Sequence, residues 1–324
     1  MFWKTLQALN KNLITAIPAM MLAGVGYGML FEAAPLKDAV IPLTFLMVYP
    51  MMVNLKIRKV FEGGDGKAQL LTQTINFLLI PFLAYGIGRL FFADRPYMAL
   101  GLLLASLVPT SGMTISWTGF AKGNLAAAVK MTVVGLTLGS FLTPFYVRLL
   151  LGASVDIAVL NVMGQIALIV FLPMILGYAT QRALIKRFGS ADFEKRLSPR
   201  FPALSTAGVL GIVFVAMALK ARSIAASPGL LLDILIPLLI VYVANYIIST
   251  LAAKMLLPRE DGIALVYGTV MRNLSIALAV AINAFGPKGS DAALLLCLAY
   301  IIQVQSAAWY VKFTDRIFGP PAGA

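Results

Sequence analysis

Residues 97–120 read YMALGLLLASLVPTSGMTISWTGF, an apolar run broken near its middle by PTSGMT. The run is long enough to cross a bilayer as a helix, which takes about 20 mostly apolar residues. Pro109 removes one helical hydrogen-bond donor, and the hydroxyl groups of Thr110, Ser111 and Thr114 can bind the carbonyl groups that this frees. The stretch therefore predicts a membrane helix whose backbone opens at its middle, with a simple proline kink as the alternative.

A second apolar run, 261–286, carries the interruption MRNLS at 271–275. Arg272 lies near the middle of this run, where a cation costs at least about 2.5–3.5 kcal/mol on insertion scales. Buried charges are normally paired, yet no Asp or Glu occupies the middle of any apolar run. We therefore expect the missing negative charge to arrive as a substrate.

The composition excludes a soluble enzyme. Of the 324 residues, 60% are hydrophobic and 12% are charged, against about 45–50% and about 25% in soluble domains. The mean hydropathy is +0.90 along a chain without a long polar block, which predicts one membrane domain over 1–324. Histidine is absent and the one cysteine is Cys297, so we expect no metal site, no cofactor and no catalytic activity. The net charge of +13 lies in short segments between apolar runs, and we expect no nucleic-acid partner.

Ten apolar segments predict an all-α integral membrane protein with ten transmembrane helices. Most segments are apolar nearly all round, which excludes the alternating strands of a membrane barrel. Numbered 1 to 10, the segments run approximately 12–31, 37–57, 69–93, 97–120, 124–151, 155–182, 201–220, 229–255, 261–286 and 290–314.

The loops predict orientation and internal symmetry. Most Lys and Arg residues outside the segments fall on the side where segment 1 begins, which predicts cytoplasmic termini and a multi-pass protein of the cell membrane. Because each half holds five segments, repeat one (1–151) and repeat two (152–324) are expected to be inverted repeats, as in secondary transporters. The polar stretch of about 183–200 is expected to be the cytoplasmic linker between them.

The two interruptions occupy matching positions in the two halves, which predicts a substrate site at the membrane midplane. A second cation within a segment, Lys130, is either part of this site or extends to the interface. More than half of the other polar side chains, among them Gln73, Asn245 and Gln303, are expected to make ordinary interhelical hydrogen bonds. The candidate substrate-binding residues are Arg272, Lys130, Thr110, Ser111, Thr114, Asn273, Ser275, Thr132 and Asn76.

The sequence resembles the bile acid:sodium symporter superfamily, which includes the arsenical-resistance permeases. The resemblance rests on PTSGMTISWTGFAKGN (109–124), FLTP (141–144) and MRNLSIALAVAI (271–282), while MVYPMMVNLKIRKV (47–60) is closest to the permease branch. It implies a core domain of segments 3–5 and 8–10, in which the broken segments 4 and 9 cross, and a panel domain of segments 1, 2, 6 and 7. Transport then follows from movement of the core against the panel.

The positions that bind sodium in the sodium-coupled members of this superfamily differ here. A Ser-Asn pair corresponds to Thr114-Ile115, and a Ser and a Thr of segment 5 correspond to Ala128 and Thr132. The glutamate shared by both sodium sites falls at Gly268 and a neighbouring glutamine falls at Arg272. An amide is kept at Asn76. The resemblance thus implies that Lys130 and Arg272 supply the positive charge that bound sodium supplies in relatives.

The arsenite-binding positions of the permease branch also differ, since its cysteine falls at Thr110 and its glutamate at Ser275. The sequence therefore favours a sodium-independent secondary active transporter of a small organic anion, held by Arg272 and Lys130, with protons as possible coupling ions. An arsenite or metalloid efflux permease and a sodium-coupled bile-acid-type symporter are the alternatives. Besides the anion and membrane lipid no partner is expected, and the oligomeric state is unknown.

Overall fold

The computed structural model describes residues 2–55, 64–152, 155 and 159–320. Regular structure within these residues is helical, as a lipid environment requires of backbone groups that have no water to bind. The helices are α1 (Phe2–Lys11), α2 (Leu13–Leu30), α3 (Val40–Val53), α4 (Gly66–Thr74), α5 (Ile80–Phe91), α6 (Pro96–Leu107), α7 (Gly112–Phe120), α8 (Leu125–Leu151), α9 (Val159–Ile166), α10 (Leu172–Phe188), α11 (Ser190–Asp192), α12 (Arg200–Ala226), α13 (Gly229–Leu256), α14 (Arg259–Val270), α15 (Leu274–Phe285) and α16 (Ser290–Phe318).

Several of these helices continue into one another and form longer apolar helical stretches. The π-helical turn Ile75–Leu79 joins α4 to α5, and a second one, Ala167–Phe171, joins α9 to α10. Seven helical stretches of the described chain are long and apolar enough to cross a membrane, and two shorter apolar helices, Thr15–Leu30 and Pro96–Leu107, accompany them. The chain is therefore an all-helical integral membrane protein, while the count of ten crossings and the inverted repeat stay predictions. The seven stretches are Ala34–Val53, Gly66–Phe91, Leu125–Leu151, Leu160–Phe188, Ser190–Ala226, Gly229–Leu256 and Leu274–Phe318.

The polar stretch of about 183–200 is helical over most of its length. Helix α10 extends to Phe188, beyond the expected end at 182, and Gly189 ends it with a φ of +82° that suits glycine. The short helix α11 and the π-helical turn Phe193–Leu197 lead on into α12. The expected linker is thus a bend between two helices.

The chain divides into two compact units, each made of several chain segments. The first unit contains Met1–Leu55, Ala158–Leu232 and Leu278–Cys297, and the second contains Lys56–Ile157, Asp233–Ala277 and Leu298–Ala324. The boundary between the units falls inside α15 and inside α16.

In the first unit, glycines let α2 approach α12 closely. A Cβ atom added at Gly24 would lie 2.5 Å from the carbonyl oxygen of Phe214, and one at Gly28 would lie 2.1 Å from that of Ala218. Gly26, on another side of α2, has open space around it. The sequence AGVGYG thus serves helix packing, as small residues do at membrane helix interfaces.

In the second unit, the helix that precedes each interruption is buried on all sides. Every residue from Met98 to Leu107 in α6 is buried, and so is every residue from Gly262 to Val270 in α14. Helices that are apolar all round are expected at such places. Both interruptions therefore begin inside the packed interior of this unit.

Candidate functional site

The first interruption separates α6 from α7 and is capped by its own hydroxyl groups. Thr110 adopts φ of +65°, which turns the chain after Pro109. Ser111 is the N-cap of α7: its Oγ accepts from the amide of Met113 at 3.2 Å, and its own amide donates to Oγ1 of Thr114 at 3.1 Å. This reciprocal capping box satisfies the free amides at the start of the helix.

The second interruption separates α14 from α15, and its backbone pairs with that of the first. The amide of Thr110 donates to the carbonyl of Met271 at 2.7 Å, and the amide of Asn273 donates to that of Val108 at 2.8 Å. These bonds form an isolated antiparallel bridge between Pro109 and Arg272. Both predicted interruptions are confirmed, and hydrogen bonds join them directly.

Amide side chains from distant helices satisfy the carbonyl groups at the end of α14. Asn76 Nδ2 donates to the carbonyl of Gly268 at 3.0 Å, and Asn245 Nδ2 donates to that of Thr269 at 2.9 Å. Gln303 binds the backbone of Arg272 twice, because its Nε2 donates to the carbonyl at 3.1 Å and its Oε1 accepts from the amide at 2.8 Å. The last carbonyls of a helix lack partners within it, and here side chains supply them.

The Arg272 side chain is buried, with 3% of its surface exposed. Its Nη1 donates to the carbonyl of Ser106 at 3.1 Å, whereas its Nη2 has no hydrogen-bond partner among the described residues. No carboxylate in the described part of the chain pairs with it. A buried cation with an unused donor is costly unless a negative group joins it.

Arg272 lines a small cavity together with polar and apolar side chains. Its polar lining residues are Arg272, Ser106, Tyr242 and Asn245, and its volume is about that of one water molecule. Tyr242 Oη donates to Gln303 Oε1 at 3.0 Å, so the residue that holds the Arg272 backbone also holds the tyrosine. The apolar lining residues are Ile80, Leu102, Ala105, Leu238 and Val241.

Lys130 is not an unpaired cation, and the expectation that it lacks an acidic partner is wrong. Its Nζ lies 2.8 Å from Oδ2 of Asp65, with the two side chains 6% and 11% exposed. Asp65 lies outside the predicted segment 69–93. It directly precedes α4, which begins at Gly66, earlier than the apolar run suggested. Lys130 is not among the residues that line the Arg272 cavity.

The other candidate residues support the interruptions rather than line the cavity. The Thr110 hydroxyl donates to the carbonyl of Thr132 at 3.1 Å, and that of Thr132 donates to the carbonyl of Ala128 at 2.8 Å. Asn273 Oδ1 accepts from the amide of Ile276 at 3.2 Å, and the hydroxyls of Ser275 and Tyr300 share a 2.6 Å hydrogen bond. Of the nine candidates, Arg272 alone lines the cavity. Ser106 and Tyr242 were missed by sequence reasoning, because a lone serine or tyrosine in an apolar run has no distinguishing pattern.

At Gly268 the space where a side chain would begin is already filled. A Cβ atom added there would lie 2.8 Å from Met131 Sδ and 3.1 Å from Thr72 Cγ2. The Thr72 hydroxyl itself donates to Met131 Sδ at 3.6 Å. A sulfur atom and a methyl group thus lie next to the position at which a side chain of residue 268 would begin, where the resemblance assigns a glutamate.

Comparison with known proteins gives the family. A family model described as the sodium bile acid symporter family matches residues 41–227, which is more than half of the chain. The chain belongs to this family. It is accordingly a multi-pass membrane transporter of the bile acid:sodium symporter type.

The similar relatives come from both branches. The arsenical-resistance protein Acr3 of Alkaliphilus metalliredigens is 24% identical, and the match covers 95% of this chain and 92% of that protein. The uncharacterized protein YbaS of Bacillus subtilis is 28% identical over 76% of this chain and 78% of its own length. The sodium/bile acid cotransporter 7-A of Xenopus laevis is 23% identical, over 56% of this chain and 54% of that protein.

Proposed function

We propose that the chain is a secondary active transporter that binds a small organic anion at Arg272 and moves it by alternating access without sodium. The carrying observation is the buried guanidinium group, whose Nη2 has no partner in the described chain and which no carboxylate neutralises. An anion that entered the cavity would supply the missing charge and accept from this donor. Because Lys130 already pairs with Asp65, Arg272 carries the proposal without it.

Two features support sodium independence. Sodium prefers oxygen ligands, and the carbonyl oxygens of Gly268, Thr269 and Arg272 already accept from amide side chains. At Gly268 itself, an added Cβ would come within 2.8 Å of Met131 Sδ and 3.1 Å of Thr72 Cγ2, so these side chains would have to move to admit a larger residue. Hydrogen bonds within the protein thus satisfy carbonyl groups at the interrupted helix without a bound ion.

We further propose that the second unit acts as the core domain and the first as the panel domain, with the anion moving together with the core. Protons are the proposed coupling ion. The membrane is proposed to be the cell membrane, with both termini in the cytoplasm, and the anion and lipid are the proposed partners.

The test is uptake into proteoliposomes prepared with choline in place of sodium. Labelled lactate, succinate, gluconate and taurocholate are offered separately to the wild type, to Arg272→Gln and to Arg95→Gln. Arg95 forms an exposed pair with Asp233 at 3.2 Å and serves as the matched arginine control. We expect at least one anion to enter through the wild type and the control, and uptake through Arg272→Gln to fall by about 100-fold or more, since a charged hydrogen bond to a buried partner is worth about 1.5–3 kcal/mol and the desolvated charge adds to it.

Two outcomes would overturn the proposal. Uptake that depends on sodium would show that this chain binds sodium through other residues than those of its sodium-coupled relatives. Normal uptake by Arg272→Gln would show that the anion binds elsewhere.

Arsenite efflux is the second candidate, favoured by the match to an arsenical-resistance protein over 95% of the chain. Thr110 and Ser275 stand where that branch has a thiol and a carboxylate, and both hydroxyls are engaged in hydrogen bonds. Expression in an arsenic-sensitive bacterium decides between the candidates. Protection against arsenite that persists in Arg272→Gln would favour efflux and contradict the anion proposal.

A further inference from the structure

One face of the helix formed by α4 and its π-helical turn carries a row of polar side chains, most of them partly buried and Asn76 fully buried. Asp65, Gln69, Gln73 and Asn76 follow one another at intervals of four, four and three residues, which places them on one side of a helix. At 1.5 Å per residue the row is about 16 Å long. Such a row is unusual inside a membrane helix, where polar groups are costly.

This face packs against α8 and α14 within the second unit, and some of its polar atoms are satisfied there. Gln69 Nε2 donates to the carbonyl of Ala127 in α8 at 3.0 Å, and Asn76 Nδ2 donates to that of Gly268 in α14 at 3.0 Å. Between these two bonds lies Gln73. Its neighbour Thr72 contacts Met131 of α8.

Four other polar atoms of the row are buried and have no hydrogen-bond partner among the described residues. They are Oε1 of Gln69, both Oε1 and Nε2 of Gln73, and Oδ1 of Asn76. Each unsatisfied buried polar atom costs about 1–3 kcal/mol, so four in one row require an explanation. The group consists of three acceptors and one donor, and water, which both donates and accepts, can bind all of them.

Each end of the row meets a charged group. At one end, Asp65 pairs with Lys130. At the other, Ile80 lies one helical turn beyond Asn76 and lines the same cavity as Arg272, whose Nη2 is buried without a hydrogen-bond partner among the described residues. The unsatisfied atoms therefore lie between a buried ion pair and a buried cation.

We propose that Gln69, Gln73 and Asn76 bind a chain of ordered water molecules that connects the Lys130–Asp65 pair to the Arg272 cavity. The chain solvates the guanidinium group while the cavity is closed, and it lets water enter and leave from the Asp65 end. The cavity lining also includes Leu102, Leu238 and Val241, whose side chains offer water no hydrogen bonds. This water site does not depend on the anion proposal, because the four atoms require partners whichever ligand Arg272 binds.

Two methionines of the second unit report on this water without any substitution. Met131 is fully buried and contacts Thr72 beside Gln73, whereas Met98 is 2% exposed and lies within the all-buried helix α6. Hydroxyl radicals formed from bound water by X-ray radiolysis oxidise a nearby thioether to its sulfoxide, and mass spectrometry measures the rate. We expect Met131 in the wild type to oxidise about tenfold faster than Met98, because methionine oxidation follows access to the oxidant.

The variant Gln73→Leu removes two of the four atoms and keeps the side-chain volume. We expect the rate at Met131 to fall to the rate at Met98, while the buried Met47 and Met52 of the first unit keep their slow rates and so report an intact fold. The matched control is Gln181→Leu, which removes a hydrogen bond to Val53 in the first unit and should leave Met131 unchanged. Slow oxidation of Met131 in the wild type would overturn the proposal, as would a fast rate that Gln73→Leu does not alter. Loss of anion uptake in the Arg272 variant would affect neither result.

Discussion

The backbone groups left free at the two helix interruptions find their hydrogen-bond partners in different ways. At the first interruption, Ser111 and Thr114 cap the following helix from within three residues of each other. At the second, Gln303 binds both backbone groups of Arg272 from a position 31 residues away in the chain. Both interruptions have a local cap, since Asn273 Oδ1 accepts from the amide of Ile276 at the second, but only there does a side chain from a distant helix bind both backbone groups of one residue.

This difference determines where function can reside. A locally capped break is a fixed turn, and its hydroxyl groups are already engaged in capping. A break held by remote amides can carry a side chain that takes no part in the capping, and Arg272 is such a side chain. Its backbone is fixed by Gln303, while its Nη2 stays available. The comparison thus supports the proposal that the ligand binds at the second interruption.

Gln303→Leu should have the largest effect on stability. It leaves the amide and the carbonyl of Arg272 without their partner, and it removes the acceptor of Tyr242. Two buried backbone groups without partners cost about 2–6 kcal/mol. Unfolding in detergent measures the loss, and Gln305→Leu, an exposed position in the same helix, should change little. Equal losses in the two variants would show that Gln303 does not hold the interruption.

Gly139→Ala should disturb the first interruption by crowding it. The added Cβ would lie 2.6 Å from Pro109 Cδ and 2.8 Å from the carbonyl oxygen of Leu107. Overpacking of this kind costs about 1–3 kcal/mol, seen as a lower midpoint of thermal unfolding. Gly86→Ala is the matched control, because nothing lies within 4 Å of its added Cβ and alanine favours the helix by about 0.5–1 kcal/mol. A stabilised Gly139→Ala variant would mean that α8 does not approach the break so closely.

Ser111→Ala removes the N-cap of α7 and should cost about 1 kcal/mol. Ser116→Ala, at a solvent- or lipid-exposed position of the same helix, is the control and should cost less. Chemical unfolding of the two variants against wild type measures the difference. A cost of several kcal/mol for Ser111→Ala would show that local capping is not the whole role of this residue.

Thr110→Gly should have the smallest effect, because two contributions of opposite sign cancel. Glycine adopts the φ of +65° freely, which recovers about 1 kcal/mol of strain. The substitution also removes the hydrogen bond to Thr132, which is worth about 1 kcal/mol. We expect an unfolding midpoint close to that of wild type, and a large shift in either direction would show that one of the two contributions is absent.

Much of the fold follows from the sequence. Apolar runs predicted the helices, because each run must bury its length in lipid or in its neighbours. The first interruption was predictable in position from Pro109, but the hydroxyl groups of Ser111 and Thr114 accept from amides at the start of α7 instead of binding the freed carbonyl groups that the sequence suggested. The second was predictable in position through Arg272, which has no place in an ordinary membrane helix.

The partners of these residues were not predictable, because they are distant in the chain. Asp65 lies in a polar stretch outside the predicted segment, so nothing in the pattern linked it to Lys130. Gln303 and Asn245 were recognised as polar, but only the fold shows that both act on the end of α14. Tyr242 and Ser106 become part of the cavity through packing alone.

The most direct test of the anion site is the thermal stability of the purified protein in sodium-free buffer with lactate, succinate, gluconate, taurocholate, phosphate or arsenite added. A ligand at 100 times its dissociation constant stabilises the state that binds it by about 2.7 kcal/mol. We predict stabilisation by at least one organic anion in the wild type and in Arg95→Gln, and none in Arg272→Gln. Stabilisation that requires sodium, or that survives in Arg272→Gln, would contradict the assignment of anion binding to Arg272.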